Sequence, residues 1–274
     1  MTELGGTAAV VGGGSGIGRG IAHALGRHGV SVMVADIDLA SAQAVRDEVV
    51  AAGGRADARE VDGTSRESLA DLATATVDRF GGVNVLSTNV GVVADRPLVE
   101  ATETDWAWFL ECNLLSAVRA VDVFLPQLRA TAAPRAIVVT ASMAALLAPT
   151  GGAARGTHLG LYTTTKHALL GYAEVLRDEL AVEGIGVSLL CPGMVQSNLG
   201  VTSARHRPER FGGPVASAES PTPVPGMDAD EVGQIVVDGL RADRFIIVTH
   251  AAARRAVEGR QRRVLAAFDA LGER

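Results

Sequence analysis

The chain has 274 residues, 47% hydrophobic and 20% charged, a balance that excludes a disordered protein. A net charge of −6 gives no global attraction to nucleic acid or an anionic membrane, and no apolar run nears the roughly 20 residues of a bilayer span. With no secretory pattern at the N-terminus and only Cys112 and Cys191 in the chain, a soluble cytoplasmic protein is expected, its thiols reduced and buried, without disulfide or metal.

Thr7 to Val11 reads as a buried strand, and Gly16 to His28 as the helix that follows. Ser31 to Ala35 is a second strand and Leu39 to Ala52 a second helix, stopped by Gly53 and Gly54. Further strands are expected at Ala56 to Val61, Val83 to Ser87, Ala136 to Thr140 and Val187 to Leu190. Helical periodicity covers Ser65 to Phe80, Glu103 to Arg129 and Leu161 to Glu183. Phe245 to Val248 makes a seventh strand, with helical pattern on both sides. Such alternation with short joins implies right-handed crossovers. The fold expected is α/β, a doubly wound, Rossmann-type sheet of seven parallel strands with helices on both faces. Successive strand positions are apolar, as burial on both faces demands. One composition shift, Pro192 to Pro225, is rich in Pro, Gly and Ser and weak in periodicity. Residues 1–274 therefore read as a single domain with a substrate flap at about 192–226.

The first strand runs into Gly12-Gly13-Gly14-Ser15-Gly16-Ile17-Gly18, and a helix begins at once. Glycines in that place let the chain turn tightly, admit a pyrophosphate against the backbone and aim a helix N-terminus at its charge. Asp36 ends the second strand, 18 residues after Gly18. A carboxylate there can accept hydrogen bonds from both hydroxyls of an adenosine ribose and repel a 2′-phosphate. Ile37 follows Asp36 and Ser15 precedes Gly16, neither of them basic, so NAD is expected in preference to NADP.

Tyr162 and Lys166 stand at i and i+4 near the start of a helix, on one face and one turn apart. An ammonium so placed favours the phenolate and pulls the tyrosine pKa down from about 10. The strand Ala136 to Thr140, continued by Ala141, delivers the Ser142 hydroxyl to the carboxyl edge of the sheet, where doubly wound folds bind ligands.

In these residues the sequence resembles the single-domain short-chain dehydrogenase/reductase family over nearly the whole chain. The family's glycine turn matches Gly12 to Gly18, with Val11 in place of its leading threonine. Its serine and its Tyr-x-x-x-Lys pair match Ser142, Tyr162 and Lys166, and its helix asparagine matches Asn113. Its adenine-contacting aspartate resembles Asp62, followed by Gly63. Thr88-Asn89-Val90-Gly91 is an altered form of the segment after the fourth strand. The Pro-Gly segment after the sixth matches Pro192-Gly193, then Met194, Val195, Gln196 and Ser197.

The resemblance implies NAD contacts at Gly12, Ser15, Gly16, Ile17, Gly18, Asp36, Asp62, Gly63, Asn89, Gly91, Tyr162, Lys166, Pro192, Val195 and Ser197. It implies an NAD-dependent alcohol dehydrogenase or ketone reductase that moves a hydride between the nicotinamide and a secondary alcohol or its ketone. Tyr162 would act as acid/base, and Ser142 would hold the substrate oxygen. Lys166 would lower the tyrosine pKa and grip the nicotinamide ribose, and Asn113 would hold a water linking Lys166 to solvent. Val11 and Thr88 forgo a hydroxyl contact between the glycine turn and the fourth strand, and Val90 adds bulk beside the expected cofactor. The stretch Phe245 to His250 resembles a subgroup acting on aromatic and alicyclic alcohols. A homotetramer or homodimer is implied, packed through the helices that carry Asn113 and Tyr162. In keeping with this, Trp106 to Leu128 is apolar over more than a narrow stripe.

On the substrate side, Tyr162 follows Ser142 by 20 positions, more than is usual in the family. The extra residues, 149–161, are either a solvated loop or a pocket wall in which Arg155 or His158 meets a polar substrate group. Arg205, His206 and Arg207 in the flap read as a solvated basic face, and Trp106 and Trp108 as packing residues. Two rival readings are a non-catalytic dinucleotide-binding sensor, which has no need of the Tyr-Lys pair, and a methyltransferase, which has no use for Ser142, Tyr162 and Lys166 in this arrangement.

Overall fold

A computed structural model describes residues 4–132, 134–148, 158–214 and 226–271. Seven parallel strands form one sheet: β1 (Thr7–Val11), β2 (Ser31–Asp36), β3 (Ala56–Glu60), β4 (Val85–Thr88), β5 (Arg135–Thr140), β6 (Ile185–Cys191) and β7 (Ile246–Val248). Their order across the sheet is β3-β2-β1-β4-β5-β6-β7. The direction of winding reverses between β1 and β4, which opens a crevice at the carboxyl ends of those two strands.

Side chains alternate across the sheet, and both faces are covered. Ala9 and Val11 of β1 point with Met33 and Ala35 of β2 into a layer built with α3 (Arg66–Phe80), α5 (Ser116–Ala130) and α6 (Gly160–Ala181). Ala8, Val10, Val32 and Val34 point the other way, onto α1 (Gly16–Arg27), α2 (Leu39–Ala51) and α8 (Ala229–Arg241). This explains why the central strands are apolar throughout. The edge strand β3 departs from that pattern, because Arg59 and Glu60 are exposed there; charges on a free edge discourage pairing with another chain.

Helices α1 and α8 cross at a pair of glycines. A Cβ added at Gly20 would lie 1.8 Å from the Ala229 carbonyl oxygen, and one at Gly233 would lie 1.9 Å from the Gly20 oxygen. Both obstacles are backbone, so the helices themselves must separate to admit a methyl group. Gly233→Ala is expected to cost about 2–3 kcal/mol and lower Tm by roughly 5–10 °C, measured by calorimetry. An unchanged Tm would mean that the crossing yields without penalty.

Two elements differ from the periodicity. The helix expected from Glu103 to Arg129 is broken into α4 (Glu103–Leu110), a π turn (Glu111–Leu115) and α5, because one wider turn is inserted around Asn113. Such single π turns are frequent at functional sites. Within the stretch expected to lack regular structure, Leu199–Arg205 forms a short helix, α7, and Glu209–Phe211 a 3₁₀ turn. The last helix is α9 (Arg254–Asp269). Among the described residues no helix is long and apolar enough to cross a membrane. Cys112 and Cys191 are both free and buried, and burial pushes each thiol up to about 12.

Candidate active site

The turn after β1 lines one side of the crevice. Gly12, at φ +74°, and Gly13 donate their N–H groups to the Ala35 carbonyl at 2.8 and 2.9 Å, which folds the turn back over the end of β2. A Cβ at Gly18 would fall 2.0 Å from the Gly12 oxygen, so only glycine lets α1 start this close to the turn. Ser15 caps α1 without using its side chain, and the first turn of α1 holds no acidic residue. Among the described residues no side chain caps that helix N-terminus, which presents its first N–H groups beside the exposed Ser15 hydroxyl. Ile17 is half-buried in the first turn of α1 and packs against the core of that face.

Asp36 stands beside this turn, where it accepts from the Gly14 N–H at 2.8 Å and the Asp38 N–H at 3.2 Å. Each contact uses one carboxylate oxygen, and lone pairs on both remain for further donors. Asp62 accepts from the Thr64 N–H and hydroxyl through Oδ1, at 2.8 and 2.7 Å. Val90 packs against Gly63, where an added Cβ would meet the valine side chain at 2.7 Å, so glycine leaves that space to the valine.

The contact forgone at Val11 and Thr88 is replaced by Asn89. Its backbone N–H and its side-chain amide both donate to the Val11 carbonyl, at 2.8 and 3.1 Å. Its Oδ1 accepts from the Thr140 hydroxyl at 2.8 Å, so one side chain ties β1, β4 and β5 together.

Four side chains converge at the far side of the crevice. Ser142 follows β5 and caps a short 3₁₀ turn, Met143–Ala145, by accepting the Ala144 N–H at 3.1 Å. The Met143 N–H reaches the Pro192 carbonyl at 2.8 Å, which joins the ends of β5 and β6. Tyr162 lies on the first turn of α6, with Lys166 one turn on and its ammonium 5.6 Å from the phenol ring centre. Lys166 is 3% exposed, and among the described residues its three N–H donors meet one acceptor, the Thr140 carbonyl, at 3.0 Å. Burial pushes its pKa down to about 8.

Asn113 is held in the π turn by the backbone of Val92, accepting its N–H at 2.6 Å and donating to its carbonyl at 3.1 Å. The same amide also donates to the Thr165 hydroxyl at 3.1 Å. Between Asn113 and Lys166 sits Gly91, whose absent Cβ would lie 3.2 Å from the Asn113 Oδ1 and 3.5 Å from the Lys166 Nζ.

The expected lowering of the Tyr162 pKa by Lys166 is not met in the protein alone. Burial raises it above its ordinary value, and the Ser142 hydroxyl acts weakly in the opposite direction. The ammonium that was expected to lower it is itself desolvated. Of the segment after β6, Pro192 is buried, Val195 bridges to Met227, and Ser197 lies 3.2 Å from where a Gly16 Cβ would stand. The segment therefore closes over the glycine turn.

On the substrate side, Arg155 and residues 149–157 lie outside the described residues. The His158 ring meets Asp95 at 2.9 Å and is already partnered. Arg207 is not on a solvated face as expected: its side chain is 13% exposed and bonded to Asp105. Sequence reasoning passed over Thr140, Thr165 and Val92, which position Lys166 and Asn113 through hydroxyl and backbone contacts that no motif marks.

A family model described as short chain dehydrogenase matches residues 6–208. The 1-deoxy-11-beta-hydroxypentalenate dehydrogenase of Streptomyces exfoliatus is 31% identical over 251 residues, 90% of this chain and 84% of that protein. A cyclohexanol dehydrogenase of an Acinetobacter species is 31% identical over 70% of this chain and 74% of its own length. The crystal structure of a short chain dehydrogenase/reductase from Burkholderia phymatum in complex with NAD is similar at 29% identity. Its TM-score is 0.87, over 97% of both chains.

Proposed function

The chain belongs to the short-chain dehydrogenase/reductase family, and from that premise we propose that it interconverts a secondary alcohol and its ketone with NAD(H), Tyr162 serving as acid/base. One observation carries this reading: Ser142, Tyr162, Lys166 and Asn113 meet at the carboxyl edge of the sheet, beside a glycine turn and a strand-end aspartate. A sensor without chemistry gives no reason to bury an ammonium against a tyrosine.

The surroundings fit a nicotinamide dinucleotide. The uncapped N-terminus of α1, with Gly12, Ser15, Gly16, Ile17 and Gly18, suits the pyrophosphate, and Asp36 retains lone pairs for ribose hydroxyls. Asp62, Gly63, Asn89 and Gly91 would line the path along the strand ends, with Pro192, Val195 and Ser197 opposite. Among the described residues Lys166 meets one acceptor, which leaves two N–H groups for the second ribose. When bound, the nicotinamide supplies the two-electron chemistry at the carbinol carbon.

In this reading the chain's own residues handle the proton. Tyr162 Oη takes it from the alcohol or gives it to the ketone oxygen, and the Ser142 hydroxyl orients that oxygen. Lys166 loses part of its burial penalty when ribose hydroxyls accept its donors, and its charge then favours the phenolate. The space left by Gly91 between Asn113 and Lys166 suits a water that passes the proton on. Alicyclic alcohols are the favoured substrate class, in line with the names of the pentalenate and cyclohexanol relatives.

Preference for NAD over NADP rests on Asp36. Replacing Asp36 with alanine is expected to weaken NAD binding and to lower the kcat/KM ratio of NAD over NADP by about 10- to 100-fold, the loss of charge-assisted hydrogen bonds to ribose. Steady-state kinetics with both cofactors checks this, and an unchanged ratio removes Asp36 from the site. Two or four copies of the chain are expected to assemble, since Val175 on α6 and Val182 just beyond its end are 60% and 89% exposed. Light scattering tests that point. A reducing, cytoplasmic setting agrees with two free, buried thiols.

A further inference from the structure

Residues 199–213 are anchored at several points around Tyr162. Ser203 Oγ accepts the Val93 N–H at 3.0 Å, next to the Val92 backbone that Asn113 clamps. Phe211, 9% exposed, packs with Trp108, Phe109 and Leu161, and Tyr162 borders that cluster. Arg207 joins the two anchors. Its Nη2 donates to Asp105 Oδ1 at 3.0 Å, its Nε donates to the Phe211 carbonyl at 2.6 Å, and its guanidinium lies 4.6 Å from the Trp108 ring centre.

The partner is prepared for this contact. Asp105 closes the capping box of α4 with Thr102 and also meets Arg96 Nε at 3.3 Å. Burial would push its carboxyl up, but the Thr102, Arg207 and Arg96 donors outweigh that and hold it below the ordinary value. A desolvated ion pair persists only where its geometry is well satisfied. Here Nη2, Nε and the face of one guanidinium are all used, a combination that lysine cannot reproduce. The side chains that border Tyr162 on this side, Trp108, Phe109, Leu161 and Phe211, are apolar.

We propose that Arg207 is a positioning residue for the substrate pocket, holding residues 199–213 on α4 so that Phe211 completes an apolar wall beside Tyr162 for the hydrocarbon part of the substrate. This rests on the oxidoreductase reading above and adds the part of the chain that shapes its specificity. Arg207→Met keeps the apolar stem and removes the fork and the charge. With cyclohexanol and 1-phenylethanol as probes and NAD in excess, KM for the alcohol is expected to rise about ten-fold or more. Over the same comparison kcat should stay within about three-fold, and NADH binding without alcohol within about two-fold. Chymotrypsin cleavage after Phe211 should accelerate about ten-fold. Arg207→Lys should fall between the variant and the parent, and it carries the same comparisons if Arg207→Met does not fold.

An unchanged KM overturns the proposal, and so does a parallel loss of NADH binding, which would mark a general collapse of the site. If the unaltered chain oxidises neither alcohol, the substrate reading fails, and proteolysis decides the positioning role alone. Faster cleavage of the variant then supports it, and equal rates sink it.

Discussion

Tyr162→Phe is expected to lower turnover by about 10³-fold or more while leaving the Kd for NADH within about three-fold. The ring stays, so its packing with Leu161, Phe211 and Trp108 stays too. What leaves is the one phenolic hydroxyl beside Ser142, and a positioned acid/base group contributes about 10²–10⁴-fold. Stopped-flow absorbance of NADH with a single turnover of alcohol separates chemistry from release. A variant that keeps most of its turnover would remove Tyr162 from proton transfer. The unaltered enzyme should oxidise faster as pH rises, because burial holds the phenol protonated and the phenolate is the form that accepts the proton. A flat profile with chemistry limiting would oppose that role.

Lys166→Met is expected to make the protein more stable and less active. Lys166 is the sole lysine of the sequence and is almost wholly buried, with its pKa pushed from 10.5 down to about 8. That depression corresponds to a penalty of about 3 kcal/mol for keeping the charge in the fold, against roughly 1 kcal/mol for the lost hydrogen bond to the Thr140 carbonyl. A net gain of about 2 kcal/mol is therefore expected at pH 7. Below about pH 8 the amine is charged in both the folded and unfolded states, so the penalty is fully present. Between about 8 and 10.5 the unfolded chain binds more protons than the folded one, so the parent gains stability as pH rises and the gap to the variant closes. Urea unfolding of both proteins at pH 7 and pH 10 reads this out. A variant no more stable than the parent at pH 7 would mean that the site already offsets the burial. Turnover should fall steeply in the same variant, an exchange of stability for function common at active sites. Because no second lysine exists, isotope labelling of that residue gives one side-chain signal whose titration near pH 8 tests the premise directly.

Much of the fold was legible in local pattern. Doubly buried strands such as Val10-Val11 and Val32 to Ala35 are apolar at every step, and glycine stops such as Gly53, at φ +88°, follow from backbone sterics alone. The same holds for the candidate site wherever chemistry is spaced along the chain. The glycine turn, Asp36 at the end of β2, and the i, i+4 pair Tyr162 and Lys166 each declare themselves over a few residues.

What the chain could not declare depends on groups far apart in sequence. The π turn at Asn113 follows from the Val92 backbone, which pulls the amide out of helical register from 21 residues away. Asn89 takes over a contact forgone at Val11, 78 positions earlier, through an ordinary peptide carbonyl that no residue type signals. Arg207 reads as solvated until Asp105 and Trp108, about a hundred positions before it, close around its charge. The acidity of Tyr162 turned on burial as well. Spacing placed a cation nearby, but only the packed surroundings determine how much water each group loses, and here burial raises the Tyr162 pKa and lowers that of Lys166. Backbone preference and hydrophobic period act over one or two turns and can be read from neighbours in sequence, whereas solvation and hydrogen-bond partnership belong to neighbours in space.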